Sequence, residues 1–365
     1  MKARGRGLGL ATVRDLREAR RPATAEQIAD FETDVLAGFV LARSSAGLSD
    51  STIRGDVGHL EQFRTWFGRP LWEMEPVDAD AYFGRVIRDA AKGTRLARAQ
   101  TLKTYFMFLE LRHKVEIHQM TGRVVECPID EMNRPRGGTE SKLRIPPSQV
   151  EVARLFGGWR EELATCRKFA PIARNYAAAR LMAEIGLRVN ELRQLDLHDI
   201  KWDLGRFGKV HVRYGKGKRG SGPRERIVPL VNDAGRTLRW FIEDVWGQFD
   251  DDHTRPGAPL FPSERRNTDG SCARVGDDAL RVGLADAAVK HLPSWTDALT
   301  PHVLRHFCAS QLYHGGLDLV AIQEVLGHSW IATTMHYIHV HRTHVEDAWI
   351  AGQQRAADRL KGLLP

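Results

Sequence analysis

KVHVRYGKGKRGSGPRERIVPL, residues 209–230, is the one convincing stretch of strand in a chain whose other periodic segments are helical. Apolar positions alternate on both sides of a centre rich in glycine and basic residues, which predicts a β-hairpin from about Lys209 to Leu230. Before and after it the apolar spacing is that of amphipathic helices. The expected class is therefore mostly α with a small β-hairpin or sheet, an α+β fold.

Working outward, Val150–Leu163 and Ala170–Ile185 carry helical periods ahead of the hairpin, and helices resume after it. NRPRGGTESKLRIPPS, residues 133–148, holds Gly, Pro, Ser and basic residues with no apolar period, as a linker would. Before it, Ile28, Phe31, Val35 and Phe39 form one helical stripe, and Ile53, Val57, Leu60, Phe63 and Phe67 form a second behind Ser51 as its candidate cap. A third runs through Tyr82, Phe83, Val86 and Ile87 to an expected stop at Gly93, and a fourth through Leu96, Ala99, Leu102, Phe106 and Leu109. At 365 residues the chain exceeds one ordinary core. The expected organisation is a basic arm over 1–24, a helical domain over 25–134, a linker over 135–148, a second domain over 149–350 and a tail over 351–365.

A formal net charge of +8 favours a polyanionic partner, because binding to phosphates releases condensed counterions. Nucleic acid leads and an anionic membrane surface trails. On the helical domain, Arg54, Arg64, Arg95, Arg98 and Lys103 either track a DNA backbone or form an ordinary solvated face. GLGLATV near the start is too short and glycine-rich for a signal peptide, and no apolar run approaches the roughly 20 residues of a membrane helix. The expectation is a soluble, cytoplasmic protein with no membrane partner. Cys127, Cys166, Cys272 and Cys308 lie far apart without a CxxC pair, which predicts buried, reduced thiols rather than a zinc or disulfide framework.

The candidate chemistry lies in the second domain. In LTPHVLRHF, residues 299–307, Thr300 is placed to cap a helix with Pro301 at its first position, so His302 and Arg305 share a face near the positive end. That is a ready anion site. Gly315 and Gly316 end this helix; Asp318 is a candidate cap for the next, and Gly327 its terminator, leaving His328 just beyond. Tyr337 follows nine residues later among several histidines. Farther back, AEIGLRVNELRQL sets Arg188 between a helix ended by Gly186 and one led in by Asn190, and Lys216 occupies the hairpin turn. Each of these positions also has an ordinary structural reading as surface, turn or cap.

Their order, Arg188, Lys216 in a hairpin, His302-x-x-Arg305, Leu-Gly-His328 and Tyr337, resembles the tyrosine recombinase, or phage integrase, family. GLRVNEL, PHVLRHFCAS, IQEVLGHS and TTMHYIHV each match its boxes in type, spacing and order, and the resemblance spans nearly the whole chain. It implies a two-domain DNA clamp, with an N-terminal helical core-binding (SAM-like) domain and a catalytic domain. It further implies Tyr337 as nucleophile, Arg188 and Arg305 as the phosphate clamp, Lys216 as general acid, and His302 and His328 as supporting histidines. Lys218 is the alternative acid because the turn is long, and Trp330 stands where a small residue is frequent. The implied partners are double-stranded DNA with specific recombination sites and further copies of the chain, as a tetramer.

Those residue types suit phosphoryl transfer. Negative charge that builds on the non-bridging oxygens is met by two planar guanidinium groups through parallel hydrogen bonds. A phenol with an unperturbed pKa of about 10 needs a base and a positive field to attack, and the departing oxygen needs a proton. A tyrosyl phosphate keeps the energy of the broken bond, so religation needs neither ATP nor a metal, and no cofactor is expected. Three other readings stand beside this one. They are a helix-turn-helix regulator without catalysis, a type IB topoisomerase, and a metal hydrolase on HYIHVHRTH, the last lacking acidic ligands and HExxH spacing.

Overall fold

The computed structural model describes residues 23–136, 145–215 and 224–327, with five further positions between 349 and 357. The chain forms two compact units, Met1–Lys142 and Leu143–Pro365. It is helical with two small sheets, in accord with the expected α+β class.

The first unit begins with α1 (Ala25–Ser45), where Gln27 N–H donates to Thr24 Oγ1 at 3.3 Å and Thr24 N–H donates back to Gln27 Oε1 at 3.0 Å. This reciprocal pair satisfies two amides that a helix start leaves unpaired. Helix α2 (Asp50–Phe67) is capped by Ser49 rather than Ser51: Thr52 N–H reaches Ser49 Oγ, and Ser51 already lies in the first turn. The third apolar stripe also divides differently from the sequence expectation. A short α3 (Pro76–Ala81) passes into a π-helical turn over Tyr82–Val86 that keeps Tyr82 and Phe83 buried, and Gly93 falls inside the first turn of α4 (Lys92–Arg112). Helix α5 (Lys114–Thr121) completes the unit.

Its core is aromatic. The Phe39 ring meets Tyr105 edge-on at 5.3 Å, and Phe63 lies 4.3 Å from Tyr82. Of the basic residues expected to face DNA, Arg54 is exposed and Lys103 half-buried. Arg64 pairs with Glu32 at 2.7 Å, Arg95 donates to the Phe83 carbonyl at 3.2 Å, and Arg98 donates to the Tyr82 hydroxyl at 2.9 Å. The last two thus brace the π-helical turn of their own unit.

The second unit is built around α7 (Phe169–Ile185), buried along most of its length and packed by α6 (Gln149–Leu163). Its run of Ala173, Ala177, Ala178 and Ala179 leaves little side chain to hold neighbours apart. A one-turn α8 (Val189–Arg193) follows, starting one residue before the expected Asn190, with Arg188 itself at the cap position. The hairpin forms as β2 (Lys209–Gly215) and β3 (Arg224–Pro229), and β1 (Ile200–Lys201) adds a third antiparallel strand in the order β1-β2-β3. Val210 pairs with Val228 and Val212 with Arg226; a register shift follows between Val212 and Gly215. After α9 (Ala234–Trp240) comes a second sheet, β4 (Pro262–Arg266) with β5 (Cys272–Arg274), whose polar PSERR and short CAR strands carry no alternation to announce them. Helices α10 (Asp277–His291), α11 (Pro301–His314) and α12 (Leu319–Leu326) close the described fold.

All four cysteines are free. Cys272 and Cys308 are buried as expected, whereas Cys127 and Cys166 are only half-buried. No helix among the described residues is long and apolar enough to cross a membrane.

Gly186 joins α7, α11 and α12. Its φ of +67° is left-handed, and a Cβ there would stand 2.4 Å from Leu326 Cδ2 and 3.2 Å from Cys308 Sγ. Both conformation and space demand glycine. Gly186→Ala should therefore lower stability by about 2 kcal/mol or more, and the melting temperature by roughly 5 °C, in a thermal melt. An unchanged melt would mean that the α7–α12 contact relaxes freely.

Candidate active site

The turn at Gly186 sets up the site. It swings the chain out of α7 so that Leu187 is buried and Arg188 begins α8. Three residues on, Glu191 reaches back: its Oε2 accepts the Arg188 amide at 2.9 Å and its Oε1 accepts Arg188 Nη1 at 2.6 Å. From β3, Arg226 donates Nη1 to Oε1 at 3.0 Å and Nη2 to Oε2 at 2.8 Å. From α11, Arg305 Nη1 stands 3.9 Å from Oε2. Three guanidinium groups on three separate elements therefore surround one carboxylate that is 2% exposed, leaving a surplus of positive charge.

The same three arginines meet the end of α12. Val325, Leu326 and Gly327, three consecutive carbonyls, accept from Arg226 Nε at 3.0 Å, Arg305 Nη2 at 2.6 Å and Arg188 Nη2 at 3.4 Å. Arg305 also donates to the Gly186 carbonyl. The last carbonyls of a helix lack partners within it and carry the negative end of its dipole, so cations there are favourable. Gly327, at φ +66°, ends the helix in the left-handed conformation and hands the chain to His328.

Of the residues anticipated from sequence, Arg188 and Arg305 come together at Glu191. Arg305 is fully buried, and the Arg188 side chain keeps 26% of its surface exposed. His302 lies one turn before Arg305 on α11, exposed, its ring edge-on to His306 at 4.8 Å. The Thr300 cap forms as expected, accepting the Val303 amide at 3.4 Å. Lys216, Lys218, His328 and Tyr337 lie outside the described residues; β2 ends at Gly215, one residue before Lys216. The histidines of HYIHVHRTH lie outside as well, and among the described residues no group of His, Cys, Asp or Glu is arranged to hold a metal.

Sequence reasoning missed Glu191 and Arg226, though both left signals. Glu191 is three residues after Arg188, the spacing of a side chain that folds back on a helix start. Arg226 shares a strand face with Val228, which is completely buried, and so belongs to the inward-pointing set.

Burial opposes ionisation of Glu191. The hydrogen bonds and charge of Arg226, followed by the charges of Arg188 and Arg305, outweigh it and hold the carboxyl at about 2. A carboxyl depressed below its ordinary 4.5 stabilises the fold above that pH, and the contribution is lost as pH falls through about 2. Acid unfolding followed by circular dichroism should show the native protein losing about 3 kcal/mol relative to Glu191→Gln over that window. Parallel pH curves for the two proteins would contradict an ionised Glu191.

Residues 160–344 match the model of the phage integrase family. A tyrosine recombinase XerD from Agrobacterium fabrum is 30% identical over 319 residues, covering 82% of this chain and 86% of its own length. A tyrosine recombinase XerC from Vibrio campbellii is 28% identical over 323 residues, covering 87% and 90%. Among solved structures, a XerH site-specific recombinase bound to a palindromic difH substrate aligns with a TM-score of 0.57 at 17% identity, over 90% of this chain and 98% of that one. A Tn1549 transposon integrase in complex with transposon right end DNA gives 0.54 at 15% identity, over 88% and 99%.

Proposed function

The chain belongs to the phage integrase family of tyrosine recombinases, and from that membership we propose how its own residues carry the reaction. It is an enzyme that cuts and rejoins DNA at specific sites. In the proposed sequence, Arg188 and Arg305 grip the non-bridging oxygens of one phosphodiester while the Tyr337 hydroxyl attacks phosphorus in line. His302 takes the phenolic proton, Lys216 gives a proton to the departing O5′, and His328 donates to a phosphate oxygen. A 3′-phosphotyrosyl bond replaces the phosphodiester, and attack by a 5′ hydroxyl reverses it on the same or another strand. Exchange between two duplexes needs one nucleophile for each of four strands, so the working form is a homo-tetramer on DNA, acting in the cytoplasm. Arg54 and Lys103 of the first unit stay available for backbone contacts.

The observation that supports this reading is the meeting of Arg188 and Arg305 at Glu191 and at the end of α12, directly ahead of His328. The named relatives are recombinases rather than regulators, which favours the catalytic reading. To test it, duplexes selected from a random library by tight binding are nicked near the selected core, so that a cleaved fragment diffuses away and the enzyme is trapped. A protein–DNA adduct that survives denaturation should accumulate with no ATP and with excess EDTA. Cleavage that needs a divalent metal, or free ends without adduct, would refute it.

A further inference from the structure

We infer that Arg226 is a positioning residue for strand cleavage, tying the ends of the two strands that flank Lys216 to the phosphate-gripping arginines. The inference rests on the proposed role of Lys216 as general acid.

Arg226 uses one guanidinium in three directions: to both oxygens of Glu191 and, through Nε, to the Val325 carbonyl of α12. Its side chain is 9% exposed, so water does not compete for those bonds. Its place in the sheet gives these contacts a consequence. Val212–Arg226 is the last pair of the regular β2–β3 ladder; the register then shifts, the next pair is Gly215–Arg224, and Lys216 follows. Arg226 thus anchors the β2–β3 pair at its last regular rung before Gly215. Through Glu191 the anchor reaches Arg188, and through Val325 it reaches the helix end that precedes His328. Even Gly327 conforms to it, since a Cβ there would stand 2.9 Å from the Arg226 side chain. An acid that follows directly on a strand delivers its proton only if the end of that strand is fixed relative to the phosphate, and a misplacement of about 1 Å costs about 100-fold in rate. Lysine at position 226 would keep the charge but could not hold both carboxylate oxygens and a carbonyl in one plane.

The step in question forms the Tyr337 oxygen–phosphorus bond, breaks the phosphorus–O5′ bond and moves a proton from Lys216 to O5′. With sulfur in place of O5′, the leaving group departs as a thiolate and needs no proton. Single-turnover cleavage is therefore measured for Arg226→Lys, Arg226→Gln and Lys216→Ala, on ordinary DNA and on the 5′-bridging phosphorothiolate, with DNA affinity and thermal melts measured alongside. Both Arg226 variants should cleave ordinary DNA about 100-fold more slowly with affinity unchanged, and should recover to within about tenfold of the native rate on the sulfur substrate, as Lys216→Ala should too. Native-like cleavage by Arg226→Lys would overturn the inference by showing that charge alone suffices. A deficit that sulfur leaves intact in the Arg226 variants but relieves in Lys216→Ala would overturn it too, while sparing the acid assignment. A Lys216→Ala protein that sulfur does not rescue would overturn the acid assignment, and the inference with it. Loss of the folded state in both Arg226 variants would contradict a role confined to positioning.

Discussion

Tyr337→Phe will bind its DNA site with native affinity and form no covalent adduct at all. The substitution removes one oxygen and keeps the ring and the net charge. The loss should be complete to the limit of detection, at least about a million-fold, because no other step supplies the nucleophile that enzymatic rate enhancement requires. Binding persists because affinity for DNA comes mainly from many phosphate contacts spread over the protein, none of which needs the phenol. Gel-shift titration and denaturing gels on the same nicked duplex read both quantities. A Tyr337→Phe protein that still formed adduct would move the nucleophile to another side chain.

The second large effect separates the two arginines proposed to clamp the phosphate. Arg188→Ala should slow cleavage about 1000-fold, the upper range for removing one preorganised donor to developing charge, while the melting temperature moves little. Its side chain is partly exposed, and Arg226 and Arg305 remain beside Glu191 to balance the buried carboxylate. Arg305→Ala should lose a similar factor in rate and in addition about 3 kcal/mol of stability. It strips hydrogen bonds from the Gly186 and Leu326 carbonyls and removes the one fully buried cation of the three beside the buried Glu191 carboxylate. Single-turnover kinetics with calorimetry on both variants would reveal the split. Equal stability losses would mean that Arg305 is no more structural than Arg188.

Much of this was legible in the sequence because the signals are local. Thr300 before Pro301, Asp318 ahead of α12 and Gly327 after it are cap chemistry, and they place His302 and Arg305 on one helix and His328 just past another. The hairpin shows itself through the alternation of Val210 and Val212 with Val228. What was not legible depends on tertiary context. The π-helical turn at Tyr82–Val86 satisfies the packing of two adjacent aromatics, which a 3.6-residue period cannot express. Strands β4 and β5 are short and mostly polar, with only Pro262 and Cys272 buried, too few apolar positions to show a period. Arg95 and Arg98 have the spacing of a solvated stripe, yet they turn back to Phe83 and Tyr82 because the π turn offers them a carbonyl and a hydroxyl. Glu191 illustrates the difference at the site itself. Its spacing from Arg188 is local, but its importance comes from Arg226 and Arg305, 35 and 114 residues farther along the chain.

The central claim is that a phosphate gripped by Arg188 and Arg305 is attacked by Tyr337. The most direct measurement isolates the covalent adduct, digests it with nuclease and trypsin, and locates the retained nucleotide by fragmentation mass spectrometry. The account predicts a single modification on the Tyr337 oxygen, linked through phosphate to the 3′ end of the cleaved strand. A nucleotide attached at any other side chain, or joined through a 5′ phosphate, would contradict it.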